Sequence, residues 1–192
     1  TLNLITPDEI ISAAQLVRTG RIYSLSMPLE AEGPQFPGRH KTWQTTSLLN
    51  VGEGVGFSDD VLIMSSHSGT HMDSLCHVWY DHQLYNGPDV REHITSFGSS
   101  RNSIENVPAM VGRGVLLDVA GWKGVPHLSL GEAVSASDLD QCAASQNVTI
   151  SPGDIVLVNT GWMDIFEQDR GLFDSGEPGL DLSCIEWLHQ HD

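Results

Sequence analysis

Four short apolar stretches along the chain predict β-strands. They lie at residues 21–26, 61–64, 115–119 and 155–160. The runs at 61–64 and 115–119 hold mostly aliphatic side chains, which is typical of strands buried on both faces. The last stretch is rich in β-branched residues and gives the strongest strand signal in the chain.

Three further stretches predict α-helices. The first has Thr6 as its N-cap, followed by proline at the first helical position, and is expected to end at Gly20. The second is capped by Ser137, and the third is an amphipathic helix at residues 181–190. Helices that alternate with strands in this way predict a mixed α/β domain.

Length and composition predict one soluble domain over residues 1–192. The 192 residues are enough for a single core, and no apolar run approaches the roughly 20 residues of a membrane-spanning helix. Three cysteines without a close pair do not suggest a disulfide framework, which favours the cytoplasm. The chain stops on its third predicted helix without a closing glycine, so we expect that a C-terminal segment is missing.

The charge of the chain narrows the range of partners. Nine lysine and arginine residues against 25 acidic residues give a net charge of −16. A nucleic acid or an anionic membrane would be repelled by this charge, whereas divalent cations would be attracted. We therefore expect no nucleic-acid partner and no membrane partner.

Most of the candidate chemistry lies in residues 67–77, which read HSGTHMDSLCH. Side chains of an extended segment repeat every two residues, so His71 and Asp73 are expected on the same side. Gly69 can adopt a positive φ and bend the chain so that His67 joins them. Two imidazoles and one carboxylate suit Zn²⁺ or Mn²⁺ and leave coordination positions open for water or substrate.

Other interpretations of this segment are weaker. His67 and His71 have the spacing of a helical zinc motif, but Ser68 stands where that motif has its general-base glutamate. Cys76 precedes His77, yet a lone cysteine is more often a small buried hydrophobe than a nucleophile. His77 is not needed as a ligand, which leaves it free to move protons. The other six histidines are expected at the surface or in ordinary hydrogen bonds.

Residues 67–77 resemble the H-x-G-T-H-x-D-x-P-x-H signature of the cyclase-like metal-dependent hydrolases, the family of bacterial kynurenine formamidase and isatin hydrolase. Residues 152–157 are similar to the Pro-Gly-Asp strand of that family, and residues 160–162 to the Thr-Gly-Trp that follows it. The resemblance spans nearly the whole chain. Leu75 departs from the signature, which has proline at this position.

The resemblance implies a swivelling β/β/α-type α/β fold, a homodimer or larger homo-oligomer, and one or two Zn²⁺ or Mn²⁺ ions per site. By position, the metal ligands would be His67, His71 and Asp73. His77 would donate and accept the proton, and Phe36 would stack on a flat substrate. The family completes its metal site with a later histidine and a later glutamate, which we expect beyond the last residue of this chain.

The function expected from these features is hydrolysis of a C–N bond in an aromatic amide or lactam by metal-activated water, as in arylformamidases and isatin hydrolase. Two alternatives stay open. A metal-dependent cyclase, dehydratase or lactone hydrolase would use the same residues. A relative that binds metal without catalysis is the other alternative, because some of the family's ligands are expected outside this chain.

Overall fold

The computed structural model describes residues 5–107 and 109–191, which fall into two compact units. The core unit comprises residues 5–21 and 109–191, and the hairpin unit comprises residues 22–107. Both units contain helices and small two-stranded sheets. The described chain is therefore mixed α/β, as the alternating pattern predicts.

The elements are numbered in chain order. Helices α1 to α7 are Pro7–Ala14, Val90–His93, Val119–Lys123, Ala136–Ser145, Met163–Gln168, Arg170–Phe173 and Ser183–Gln190. Strands β1 to β8 are Trp43–Gly52, Val55–Ile63, Ile94–Thr95, Gly98–Ser99, Gly114–Asp118, Ala133–Val134, Ile155–Asn159 and Gly179–Leu180. β1 pairs with β2 and β3 with β4, both antiparallel, whereas β5 pairs with β7 and β6 with β8, both parallel.

Most of the buried residues of the core unit come from β5 and from the helices α3, α4 and α7. Leu117 and Val119 are fully buried, and Trp187 of α7 is 4% exposed. Burial alternates along β5, because Leu117 is covered while Leu116 is 53% exposed. Residues 115–118 thus form the predicted strand, whereas Val119 begins α3, and the strand is buried on one face only.

Polar contacts hold β5 and β7 together at both ends. At the start, Arg113 donates from Nε and Nη2 to the carboxylate of Asp154, at 2.8 and 2.6 Å. At the other end, Asn159 Nδ2 donates to Asp118 Oδ1 at 2.9 Å. The hydrogen bonds to Asp154, whose side chain is only 7% exposed, raise the pKa of Arg113. The pair therefore stays charged when the sheet forms.

Helix α4 begins with a capping box two residues earlier than the sequence predicts. Ser135 Oγ accepts from the Asp138 N–H at 3.2 Å, and the Asp138 carboxylate accepts from the Ser135 N–H at 2.8 Å. Both N–H groups lack a partner within the helix. A box that starts at Ser137 would need Asp140, but Asp140 accepts from Trp187 Nε1 at 2.7 Å. The predicted cap was therefore wrong.

Asp138→Ala is expected to lower the free energy of unfolding by about 1 to 2 kcal/mol at neutral pH, because the capping box is lost. The hydrogen bond from the Ser135 N–H is the main cause of the lowered pKa of Asp138, whose ordinary value is 3.8. A pKa lowered by folding gives a stabilisation that is complete above the unfolded-state value and disappears as the pH falls through the folded-state value.

Urea denaturation of both proteins over a pH series measures this effect. The gap in unfolding free energy between wild type and Asp138→Ala should be constant near neutral pH and should shrink below pH 3.8. Ser137→Ala is the matched control and is expected to change stability by less than about 0.5 kcal/mol. Equal losses for the two variants would contradict the assignment of the cap.

The hairpin unit contains a long antiparallel pair, β1 and β2, whose residues are all exposed. Residues 61–63 of the apolar run at 61–64 form the end of β2, so the strand predicted there is confirmed. Its predicted burial was wrong, because Val61, Leu62 and Ile63 are 50, 47 and 60% exposed. A two-stranded sheet has no second layer of its own to cover such side chains.

The other differences lie at the ends of elements. α1 ends at Ala14, well before Gly20, because the N–H groups of Leu16 and Val17 bond three residues back and tighten the chain into a turn. Residues 21–26 form no strand. The longest described helix, α4, has 10 residues. No helix among the described residues combines the length and the apolar character needed to cross a lipid bilayer.

Candidate metal centre

The candidate ligands lie in the histidine loop, residues 67–77, which follows β2. Two of its backbone positions attach it to a neighbouring turn of the hairpin unit: the Gly69 N–H donates to Pro34 O at 2.8 Å, and Ser68 forms a β-bridge with Gln35. Ser68 is 5% exposed, and Gly69 has a φ of 58°. The bend that requires a glycine is therefore present where the sequence predicts it.

Thr70 attaches the same loop to a second segment. Its Oγ1 accepts from the Met27 N–H at 3.0 Å and donates to Leu25 O at 3.4 Å. The end of the predicted strand at 21–26 is thus connected to the histidine loop by a threonine side chain, and no strand pairing is observed there. Together with the Ser68 and Gly69 contacts, these hydrogen bonds fix the backbone on both sides of the bend.

The bend brings His67, His71 and Asp73 together, with one ligand atom of each within 4.8 Å of the others. Asp73 Oδ1 lies 2.6 Å from His67 Nδ1 and 3.3 Å from His71 Nε2. The two imidazole rings are nearly perpendicular, and their centroids are 5.2 Å apart. This cluster could hold a metal ion.

A backbone contact orients the ring of His71. Its Nδ1 lies 2.9 Å from the carbonyl oxygen of Gly69, which can only accept a hydrogen bond. Nδ1 therefore carries the proton, and in the neutral ring the lone pair is on Nε2, the atom that faces Asp73. Metal-binding histidines commonly have this kind of hydrogen bond from the second nitrogen, which fixes both tautomer and ring orientation.

The electrostatics of the cluster favour an ionised Asp73. Partial burial acts to raise the pKa of its carboxyl, but the hydrogen bond with His67 and the charges of His77, His67 and His71 outweigh burial and lower that pKa. Asp73 is 51% exposed, and the two histidine side chains are 25 and 31% exposed. A carboxylate that is ionised and open to solvent is ready to bind a cation.

His77 lies beside the cluster and outside its set of converging atoms. Its ring stacks on that of His67, with centroids 3.7 Å apart and planes 18° apart. Its backbone N–H donates to Ser74 O at 3.0 Å, which closes a turn at the end of the loop. Cys76 Sγ lies 2.9 Å from Ser74 Oγ. The proton-transfer role of His77 stays a prediction, and its position leaves the ring free for such a role.

Phe36, the predicted substrate-stacking residue, is 71% exposed. The side chain of Arg39 connects it to the histidine loop. The guanidinium carbon of Arg39 is 5.7 Å from the centroid of the Phe36 ring. Arg39 Nη1 also donates to the carbonyl oxygen of His67 at 2.5 Å. The sequence analysis missed Arg39, although its place directly after Phe36-Pro37-Gly38 in a chain with few bases was a usable signal.

Three of the remaining histidines make ordinary hydrogen bonds through Nδ1, as predicted. His93 contacts Ser100 Oγ at 2.9 Å, and His127 contacts Leu128 O at 2.9 Å. His191 contacts Trp187 O at 2.8 Å. Within residues 5–107 and 109–191, the cluster of His67, His71 and Asp73 is the one group of three histidine, cysteine or acidic residues close enough to share an ion.

Comparisons with known proteins identify the family. The family model described as "Putative cyclase" matches residues 23–192. A crystal structure described as that of a novel cyclase is similar with a TM-score of 0.91 and 30% sequence identity, covering 99% of this chain and 68% of that chain. The search of curated proteins gave no match. The chain therefore belongs to the cyclase family, which confirms the resemblance carried by the histidine loop.

Proposed function

We propose that the protein is a metal-dependent hydrolase that cleaves the C–N bond of an aromatic amide or lactam. The observation that carries the proposal is the convergence of His67, His71 and Asp73, with the ring of His77 stacked beside them. Three protein ligands leave open coordination positions, which is typical of catalytic rather than structural metal sites.

The residues present fit a divalent cation. Two imidazoles and a carboxylate form a donor set that suits Zn²⁺ or Mn²⁺. His71 presents a lone pair on Nε2, and the lowered pKa of Asp73 keeps its carboxylate ionised. One or two ions per site are compatible with this proposal, because a carboxylate has two oxygens and can bridge.

A bound divalent ion would supply Lewis acidity, polarising a carbonyl oxygen and lowering the pKa of water to about 7. The side chains of the chain supply the remaining functions. The water oxygen forms a bond to the carbonyl carbon and the C–N bond breaks, which yields a carboxylic acid and an amine. His77 would accept the proton of the water and donate it to the departing nitrogen. The exposed ring of Phe36 would stack on the aromatic part of the substrate.

His77→Ala is expected to lower kcat for an aryl formamide by about 10²- to 10⁴-fold, the usual contribution of a general acid-base group. Its metal content should equal that of the wild type, because His77 is outside the ligand cluster. Steady-state kinetics with Zn²⁺- and Mn²⁺-loaded protein, together with elemental analysis, measure both properties. His40→Ala, which removes an exposed histidine of the same unit, is the control.

Two results would contradict this proposal. Wild-type turnover in the His77→Ala variant would show that His77 is not the proton-transfer residue. Wild-type protein that binds the ion but turns over neither formamides, lactams nor lactones would support the third possibility, a metal-binding relative without catalysis.

The family description is also compatible with one alternative, a metal-dependent cyclase. A dehydratase or a lactone hydrolase acting at the same residues belongs to the same alternative. Such an enzyme would form or open a ring through a C–O or C–C bond and would leave amides unchanged. A substrate panel of aryl formamides, lactams and lactones separates the two classes. Turnover confined to lactones would replace the amide proposal with this alternative.

The family resemblance supports two further proposals: the fold would be of the swivelling β/β/α type, and the protein would form a homodimer or a larger homo-oligomer. The lack of a close cysteine pair supports a third, that the protein would act in the cytoplasm. The excess of acidic residues, with a net charge of −16, supports a small-molecule substrate over a nucleic acid.

A further inference from the structure

Arg39 is a basic residue at the candidate site, where its guanidinium contacts the histidine loop. Of the nine basic residues, five form ion pairs with acids in the described chain: Lys41, Arg91, Arg113, Lys123 and Arg170. No carboxylate among residues 5–107 and 109–191 forms an ion pair with Arg39. Among the described residues, the one hydrogen bond of its guanidinium goes to the backbone carbonyl of His67, at 2.5 Å. No carboxylate of the described residues therefore neutralises the Arg39 guanidinium beside the histidine loop.

Two contacts fix the position of this guanidinium. The Arg39 N–H donates to Phe36 O at 3.2 Å in a tight turn, in which Gly38 has a φ of 89°. The guanidinium is then held between the Phe36 ring and His67 O. An arginine has five N–H donors in a planar fork, so one hydrogen bond to a carbonyl leaves most donors available.

We propose that Arg39 is the binding residue for a carboxylate of the substrate, so that the preferred substrate is an aromatic amide or lactam that also carries an acid group. This inference rests on the proposed function and names its substrate class. The aromatic ring would stack on Phe36 while the carboxylate accepts hydrogen bonds from Arg39. Bidentate pairing with carboxylates is the contact for which a guanidinium is best suited.

The overall charge of the protein gives such a residue a clear role. A net charge of −16 repels anionic ligands over the surface as a whole. An anionic substrate therefore needs a local positive group, and the placement of Arg39 against Phe36 and His67 provides one. The competing explanation is that Arg39 only positions the histidine loop through the carbonyl of His67.

Two probes that differ only in a carboxylate distinguish these explanations. They are formanilide and 4-formamidobenzoate, in which the acid lies across the ring from the amide and so cannot reach the same ion. Calorimetric titration of the metal-loaded protein gives the affinity for each. We expect the wild type to bind 4-formamidobenzoate at least about 10-fold more tightly, as is usual for a hydrogen bond to a charged group.

In Arg39→Met this preference should disappear, while the affinity for formanilide and for the metal ion should be kept. Arg39→Lys should keep part of the preference, because it retains the charge but not the fork. Lys41→Met is the control for the loss of a nearby charge, because Lys41 pairs with Glu32, and it should retain the full preference.

Three outcomes would overturn the inference. They are an equal loss of affinity for both probes in Arg39→Met, a carboxylate preference that survives in Arg39→Met, and no measurable binding of 4-formamidobenzoate to the wild type. Because the readout is binding, it is independent of turnover. An Arg39-dependent preference without hydrolysis of either probe would leave this inference standing and contradict the proposed hydrolase function.

Discussion

Asp73→Ala is expected to lower the affinity for Zn²⁺ or Mn²⁺ by more than about 100-fold and to abolish turnover. The reason is that Asp73 Oδ1 is the atom shared by the contacts to His67 and His71, at 2.6 and 3.3 Å. Loss of an outer-shell partner alone costs about 10- to 100-fold in metal affinity, and loss of a direct ligand should exceed this. Competition titration with a metal-binding dye measures the effect.

The matched control is Asp59→Ala, which removes an exposed carboxylate from β2 of the same unit without touching the cluster. Its metal affinity should equal that of the wild type, which excludes a general effect of net charge. Thermal denaturation of both variants checks that the fold is kept. Wild-type metal affinity in a folded Asp73→Ala protein would mean that the cation binds elsewhere.

Gly161→Ala is expected to be the most destabilising single methyl addition in the core unit. A Cβ at this position would lie 2.2 Å from the carbonyl oxygen of Pro126 and 2.8 Å from His127 Cα, and both contacts are with backbone. The φ of 68° adds strain for any residue with a side chain. The N–H of the fully buried Leu128 donates to Thr160 O next to this contact. The two segments therefore cannot move apart without opening the core. We expect the free energy of unfolding to fall by more than about 4 kcal/mol.

Gly131→Ala separates the effect of the backbone contact from the effect of the positive φ. Gly131 has nearly the same φ, 69°, but no heavy atom lies within 4 Å of its Cβ position. Gly131→Ala should therefore lower the free energy of unfolding by only about 1 to 2 kcal/mol, which is the cost of a left-handed conformation for alanine. Chemical denaturation of the two variants measures the difference. Similar losses for both would show that the backbone contact at Gly161 is not a constraint.

The elements of the fold could be predicted where the signal is local. The strands at β5 and β7 and the helix α7 follow from apolar runs and helical periodicity within a few residues. The burial of apolar residues could not be predicted, because the exposed Leu116 and Val61 have the same apolar character as the buried Leu117 and differ only in what covers them. The strand predicted at 21–26 failed for a related reason, since pairing needs a partner strand and the Thr70 side chain provides the contact instead.

The candidate site likewise combines local contacts, which could be predicted, with one long-range contact, which could not. The approach of His71 to Asp73 depends on two-residue spacing, and the approach of His67 depends on one glycine bend, so both follow from local sequence. Arg39 is separated from His67 by 28 residues, and their hydrogen bond depends on how a proline- and glycine-rich loop folds back. No periodic pattern encodes such a contact, so the place of Arg39 directly after Phe36-Pro37-Gly38 was the signal that the sequence offered.

The central claim is that His67, His71 and Asp73 bind one divalent cation. The most direct test is X-ray diffraction from zinc-loaded crystals, with anomalous data collected at the zinc absorption edge. The account predicts an anomalous peak about 2.0 to 2.2 Å from a nitrogen of each histidine and from a carboxylate oxygen of Asp73. A zinc peak bound by other residues, or no peak at saturating zinc with this loop well ordered, would contradict it.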